Sequence, residues 1–262
     1  MLIFERHRKI KEILQEYTHI DVMTLSSILN VSQVTIRKDL EQLEKDGVLT
    51  RIHGGALLNH GPLEKRSAED NDSLTEEKAM IGKLATRLID EGNIIFLGNG
   101  NTCIQIAKHI KGIRNISVIT NNISIIEELF GCENINLFGI GGKVQKMKGG
   151  FYFYGSLSIE AISKLHFHKA FLSPTGVHIQ HGYSVSNPEV LDLYNAVKSV
   201  SDKVIMVSDY SKFDKVSMVQ FSSLKDMKTL VTNENIPMKY KEFFFNTGVE
   251  LYTTISSDIQ DS

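Results

Sequence analysis

The chain predicts an α/β protein: an N-terminal winged helix-turn-helix followed by a doubly wound, largely parallel α/β domain. Three observations carry that prediction. In the first sixty positions, apolar residues recur three times at helical spacing and then give way to a short hairpin pattern. From Glu76 onward, short apolar runs alternate with helical stripes, the texture of a parallel sheet wrapped by helices. Between the two textures, "NHGPLEKRSAEDNDSLTE" is polar and aperiodic, as a linker is. The expected division is 1–58 for the winged helix-turn-helix, 59–75 for the linker and 76–262 for the α/β domain.

The elements follow in order. Ile10, Ile13, Leu14 and Tyr17 take the i, i+3, i+4, i+7 spacing of one buried helix face. Leu25, Ile28 and Leu29 do the same over a shorter span, and Asn30 sits where a helix end tolerates a left-handed residue. The third helix is the best specified. Ser32 is its N-cap, and Val31 and Ile36 have the placement of a hydrophobic staple. Ile36, Leu40 and Leu43 face inward, which leaves Gln33, Thr35, Arg37 and Lys38 outside, and Gly47 stops the helix. "VLTRIHGGALL" then reads as a hairpin about Gly54-Gly55. Two helices joined by a short turn and followed by a hairpin make the winged helix-turn-helix.

Beyond the linker, Ile81, Leu84, Ala85 and Leu88 form a helical stripe. The runs "NIIFLG", "ISVIT", "INLFGI", "KAFLS", "KVIMVSD" and "MKTLVTN" read as strands, with helical segments such as 156–165 and 188–200 between most of them.

Composition excludes several classes. The net charge is −2, so any polyanion-binding surface must be local. Cys103 and Cys132 are too few for a disulfide framework and lack metal-ligand spacing. "HFH" and "HIQH" fit no standard ligand set, and "GIGGKV" has no acid in the place a dinucleotide fingerprint needs. No metal and no cofactor are expected. The N-terminus mixes charges into its apolar residues and no apolar run approaches ~20 residues, so neither a signal peptide nor a membrane span is expected. The expected location is the cytoplasm.

In doubly wound sheets ligands bind outside the carboxyl ends of the strands. That singles out "GNGNT", "TNN", "GIGG" and "SDYSK", where glycines admit an anion to backbone N–H groups and a lysine adds a point charge. The candidate effector residues are Gly98, Asn99, Gly100, Asn101, Thr102, Asn121, Gly142 and Lys212, and the chemistry suits a small phosphorylated or carboxylated ligand. The N-terminal domain poses a different choice. Arg37, Lys38, Lys45 and Arg51 nearly cancel Asp39, Glu41, Glu44 and Asp46, which fits a protein-interaction module as well as a nucleic-acid reader. Placement favours the reader. The acids fall late in the third helix, and Arg37 and Lys38 fall early, where recognition helices meet the groove. Arg51 and His53 fall on the wing, and Arg6, Arg8, Lys9 and Lys11 can serve phosphates from the first helix. The candidate DNA-binding residues are Ser32, Gln33, Thr35, Arg37, Lys38, Arg51 and His53.

"VSQVTIRKDLEQLEKDGVLTRIHGGA" strongly resembles the N-terminal signature of DeoR-type bacterial transcription regulators, V-S-x-x-T-I-R-R-D-L-x-x-L-x-x-x-G-x-L-x-R-x-H-G-G-A, with Lys38 in place of an Arg. "EEK" at 76–78, "TNN" at 120–122, "GG" at 141–142 and "DYSKF" at 209–213 follow in the order of that family's effector domain, which is related in fold to sugar-phosphate isomerases. The resemblance implies a regulator, more often a repressor, of a carbohydrate-related operon. It further implies double-stranded operator DNA, a phosphorylated-sugar effector and a homo-oligomer as partners. Five positions of the effector domain depart from the pattern. Gly98 and His168 stand where the family has acids, Asn101 where it has a Ser or Thr, Asn233 where it has an Asp and Leu193 where it has a lysine. An isomerase-like enzyme with an appended helical module is the alternative reading, and a protein-only adaptor is a third.

Overall fold

The computed structural model describes residues 3–16, 20–46, 48–52, 55–58, 74–147 and 149–254. The chain divides into two compact units, Met1–Asn71 and Asp72–Ser262. Of the expected linker, only Leu74 and Thr75 lie among the described residues, and Thr75 opens a helix.

In the first unit, α1 (Ile3–Glu16), β1 (Ile20–Asp21), α2 (Val22–Leu29) and α3 (Gln33–Lys45) precede the hairpin of β2 (Leu49–Ile52) and β3 (Gly55–Leu58). The short β1 pairs with β3, giving an antiparallel order β1-β3-β2. Ile10, Leu14, Leu25, Leu29, Ile36, Leu40, Leu43 and Leu49 form one core. Each such side chain contributes about 1.5–3 kcal/mol by leaving water. The α2 face differs from expectation. Ile28 is 54% exposed, and Val22 takes its place beside Leu25 and Leu29. An eight-residue helix is too short for three apolar positions to define its buried side. Asn30 does end α2 in the left-handed conformation, φ 52°. Tyr17, Gly47 and Gly54, assigned roles from sequence, lie outside the described residues.

In the second unit, α4 (Thr75–Thr86), β4 (Ile94–Leu97), α5 (Asn101–His109), β5 (Ile116–Thr120), α6 (Ile123–Leu129) and β6 (Ile135–Gly139) build one half of a sheet. A hairpin of β7 (Lys143–Met147) and β8 (Gly150–Tyr154) follows, and α7 (Ser156–Ser163) leads into β9 (Phe167–Leu172). The chain continues through β10 (Gly176–His178), β11 (Gly182–Val185), α8 (Pro188–Ser199), β12 (Ser201–Val207), β13 (Val219–Ser222), β14 (Thr229–Asn233), α9 (Met238–Thr247) and β15 (Glu250–Thr254). Seven strands pair in parallel in the order β15-β14-β12-β9-β4-β5-β6, and β10, β11 and β13 form a small separate antiparallel sheet.

Strand alternation divides the core in two. Phe96, Ala170, Leu172, Met206 and Leu230 face one side, with Ile162, Leu193, Tyr194, Tyr240 and Phe244 from α7, α8 and α9. Ile95, Leu97, Phe171, Ile205, Val207 and Val231 face the other, with Ile81, Cys103, Ile104 and Ile125 from α4, α5 and α6. Helices on both faces are the doubly wound arrangement expected. From β4 the chain adds β5 and β6 on one side and, after the β7–β8 hairpin, β9, β12, β14 and β15 on the other. The order therefore reverses between β4 and β9, which opens a crevice beyond their carboxyl ends. The hairpin, the small sheet and β15 were not read from the sequence, because short alternating runs beside Gly pairs look like loops.

Candidate functional site

Two sites are built, one in each unit. In the first, Ser32 N-caps α3. Its hydroxyl accepts the Thr35 N–H at 3.2 Å and lies 2.9 Å from the Thr35 hydroxyl. Both side chains are thus turned toward the helix start. Gln33, Arg37 and Lys38 are exposed, and so is Val34, at 61%. Val34 was missed because an apolar residue reads as core until its neighbours are known.

The acids of α3 are spoken for. Asp39 points inward and is buried. The Arg6 guanidinium donates to it from Nε at 2.5 Å and from Nη2 at 2.9 Å, and the His7 ring lies 3.1 Å away. That pairing holds the Arg6 guanidinium above its ordinary pKa, chiefly through the hydrogen bond to Asp39. Arg6 is therefore not a phosphate ligand as the sequence suggested; it neutralises a buried carboxylate and ties α1 to α3. Arg8, Lys9 and Lys11 stay exposed. Glu41 pairs with Lys45 at 3.1 Å, and Asp46 accepts from the Gln42 amide at 3.0 Å. Glu44 accepts the Arg51 backbone N–H at 2.9 Å, with the Arg51 guanidinium 4.0 Å from its other oxygen. Glu44 thus anchors the wing strand to α3. His53 lies outside the described residues. Among the described residues, Arg37 and Lys38 are the cations of α3 with no acidic partner.

The second site lies at the β4/β9 switch. Thr120 Oγ1 donates to the Leu97 carbonyl at 2.7 Å and accepts the Asn122 N–H at 3.0 Å, which locks the ends of β4 and β5 together. Gly100 N-caps α5 and no side chain caps that terminus, so its first N–H groups are positioned for an anion. Asn99 donates to the Tyr154 hydroxyl at 2.7 Å, and the Gly100 N–H donates to the Tyr152 hydroxyl at 3.3 Å. Asn121 donates to the Phe153 carbonyl at 3.0 Å, and Asn122 accepts the Ser124 N–H at 3.0 Å as the cap of α6. Asn99 Oδ1, Asn121 Oδ1 and Asn122 Nδ2 are buried and have no hydrogen-bond partner among the described residues. Three half-used amides around an uncapped helix start can bind a hydroxyl-rich anion. Burial pushes the Tyr154 phenol above its ordinary pKa, so it stays neutral and can donate as well as accept.

The structure brings together Gly98 to Thr102, Asn121 and Gly142. Gly142 packs beneath Tyr154, since a Cβ there would lie 2.5 Å from the Tyr154 carbonyl oxygen. Lys212 ends a 3₁₀ turn, Tyr210–Lys212, beyond β12. It follows β12 at its carboxyl end, and in the sheet β9 lies between β12 and β4. Tyr152 and Tyr154 were missed. The signal was the alternation in "GFYFY", which sets both phenols on one face of β8.

A second buried pair was also missed, although "EEK" and "DYSKF" contain it. Lys78 Nζ lies 3.6 Å from Asp209, whose other oxygen accepts the Ser211 N–H at 2.9 Å.

Four of the departures from the family pattern have a local reason. Leu193 is 1% exposed in the core. His168 Nδ1 accepts the Ile94 N–H at 2.9 Å between β9 and β4. Asn233 accepts the Tyr210 N–H at 3.1 Å and so holds the turn that bears Lys212. A Cβ on Gly98 would lie 3.1 Å from both Leu172 Cδ2 and the Phe171 carbonyl oxygen, and 3.5 Å from the Tyr194 ring. Gly98→Asp would therefore crowd the switch and bury a carboxylate against a carbonyl. We expect a loss of about 1–3 kcal/mol from overpacking alone, seen as a melting temperature several degrees lower by circular dichroism. An unchanged melting curve would show that Tyr194 yields the space freely.

Cys103 is fully buried and its thiol is pushed up to about 12, so it is no nucleophile at neutral pH. Among the described residues, no three His, Cys, Asp or Glu side chains come together to hold a metal ion. Among the same residues, no helix is long and apolar enough to cross a membrane.

Comparison with known proteins covers both units. The family model described as the DeoR-like helix-turn-helix domain matches residues 6–61, and that described as the DeoR C terminal sensor domain matches residues 73–234. The chain is 34% identical over 254 residues to the lactose phosphotransferase system repressor of Lactococcus lactis subsp. lactis, covering 95% of this chain and 96% of that protein. It is 30% identical over 259 residues to the HTH-type transcriptional repressor GlcR of Bacillus subtilis (strain 168), covering 98% of each. Among solved structures, ribose 5 phosphate isomerase A from Neisseria gonorrhoeae matches at a TM-score of 0.39 and 16% identity, covering 55% of this chain and 54% of that one.

Proposed function

Because the chain belongs to the DeoR family, carrying both its helix-turn-helix and its sensor domain, we propose that it is a DNA-binding transcriptional repressor of a carbohydrate-metabolism operon, acting in the cytoplasm and modulated by a phosphorylated sugar. The observation that carries the DNA half is the sorting of charge on α3. Every acid of the helix is engaged, while Arg37 and Lys38 stand exposed in its first half. In this reading α3 enters the major groove, with Arg37 pairing to guanine, Gln33 to a base edge and Val34 against a thymine methyl. Ser32 and Thr35 present the helix start to a phosphate, with Arg51 and His53 on the adjoining backbone. One such helix buries too little surface for tight specific binding, so a homo-oligomer reads two half-sites.

The sensor half rests on the uncapped start of α5 and the half-used amides around it. A phosphate at Gly100 to Thr102, with the sugar toward Asn99, Asn121 and Gly142, would bias the subunit arrangement. Operator affinity then changes only by the ligand's preference between arrangements. No base is placed for proton abstraction at Gly98, which weighs against an isomerase.

Selection of operator DNA from a random pool, repeated across a panel of sugar phosphates, tests the whole reading; no enriched sequence would sink it. Lys212→Ala tests the cleft. It is expected to raise the sugar-phosphate concentration needed for release about tenfold, the value of one charge-assisted hydrogen bond, with ligand-free operator affinity unchanged. A normal response would move Lys212 out of the site.

A further inference from the structure

We propose that the β7–β8 hairpin is a movable strap over the effector cleft, with Tyr152 and Tyr154 on its inner face selecting a phosphorylated polyol. The proposal rests on the reading that this cleft holds the effector. The hairpin is two-faced. Tyr152 and Tyr154 are each 1% exposed, whereas on the other face of the hairpin Val144 is 52% exposed and Lys146 is open to solvent. The inner face is polar where it meets the cleft. The Tyr154 hydroxyl takes the Asn99 amide and the Tyr152 hydroxyl takes the Gly100 N–H. Both donors belong to the turn that opens α5, so the two phenol oxygens stand where ligand oxygens would. Beside them run the buried, half-used amides of Asn121 and Asn122. Asn121 is zipped to Phe153 by the Phe153 N–H to its carbonyl at 2.9 Å, and Asn122 bridges Tyr152.

A ligand that takes these donors must displace the phenols, and the phenols are fixed to the hairpin. A glycine stands at each end of the hairpin. Gly142 precedes β7 at φ 152° and Gly155 follows β8 at φ 98°, backbone conformations that L side chains rarely adopt. The bond at stake on the Tyr152 side is long at 3.3 Å, near the limit for an amide donor. Neutral phenols and amides favour hydroxyls over carboxylates, while the helix start favours the phosphate. The ligand class is therefore a phosphorylated polyol rather than a phosphorylated sugar acid.

The chain has no tryptophan, so one introduced indole reports on its own position. Val144→Trp places it on the strap. Phe130→Trp, at a site 83% exposed just after α6, places it on the body. Each full-length variant is titrated with a hexose 6-phosphate, a pentose 5-phosphate, a 6-phosphoaldonate, the free hexose and inorganic phosphate, following emission and melting temperature. The expected result is a hexose or pentose phosphate that raises the melting temperature and changes emission only in Val144→Trp. Tyr154→Phe should weaken that ligand about tenfold. Stabilisation with silent Val144→Trp emission overturns the strap and leaves the cleft standing. Preference for the phosphoaldonate overturns the ligand class. Absence of stabilisation by every compound overturns the cleft reading. Hydrogen exchange on the ligand-free chain then decides the strap separately. The β7 and β8 amides should exchange as one block, sped by Tyr154→Phe, and an unaltered rate in that variant refutes the motion.

Discussion

Arg37→Ala is expected to abolish sequence-selective operator binding while leaving the fold of the first unit intact. The side chain is exposed, takes no part in the α3 caps, and has no acidic partner among the described residues, so its loss leaves nothing buried unsatisfied. A bidentate arginine–guanine pair discriminates by about 1–3 kcal/mol, roughly five- to 150-fold for each half-site, and an oligomer reading two half-sites loses that twice. Anisotropy titrations of selected and scrambled DNA across salt concentrations separate the effects. Arg37→Ala should collapse the ratio of specific to non-specific affinity. Lys38→Ala should weaken both DNAs alike and lower the salt slope by about one. An unchanged ratio in Arg37→Ala would remove α3 from the groove.

Asp39→Ala should give the largest loss of stability in the first unit. Its carboxylate is held by two Arg6 donors and by His7, with the side chains of Asp39 and Arg6 only 3% and 11% exposed. Removing one partner of a buried pair costs about 3–5 kcal/mol, because the other charge is left uncompensated. A small unit stabilised by about 5–15 kcal/mol would lose a large part of its margin. Urea denaturation of the full chain followed by circular dichroism should show the early transition at much lower denaturant. Replacing both residues, Arg6→Met with Asp39→Leu, should recover most of the loss. If Asp39→Ala unfolds where the parent chain does, the pair does not hold α1 against α3. The two predictions involve residues two positions apart on one helix. Their opposite outcomes follow from the helical turn, which aims Arg37 at solvent and Asp39 at α1.

Much of this arrangement was legible in the chain. The Ser32 cap, the inward row Ile36, Leu40 and Leu43, the left-handed Asn30 and six of the seven parallel strands are local patterns. Each is set within one helical turn or by the two-residue period of a strand. The glycine and asparagine turns at the ends of β4 and β5 were legible for the same reason. What stayed hidden is non-local. Counting charges along α3 grouped Asp39 with Glu41, Glu44 and Asp46, because nothing near it shows that Arg6, 33 positions away, would reach it. Periodicity in α2 could not exclude Ile28 from the core, and "GFYFY" could not reveal that its phenols would meet Asn99 and Gly100. The sequence by itself determined two folding units, their helix and strand grammar, and the glycine and asparagine turns at the strand ends. Only the tertiary structure decided that β9 lies beside β4, with His168 and Ile94 meeting across 74 positions. Both faces of the sheet must be covered by helices, and that global demand on buried area, which no short stretch of sequence records, set the strand order and so the place of the cleft.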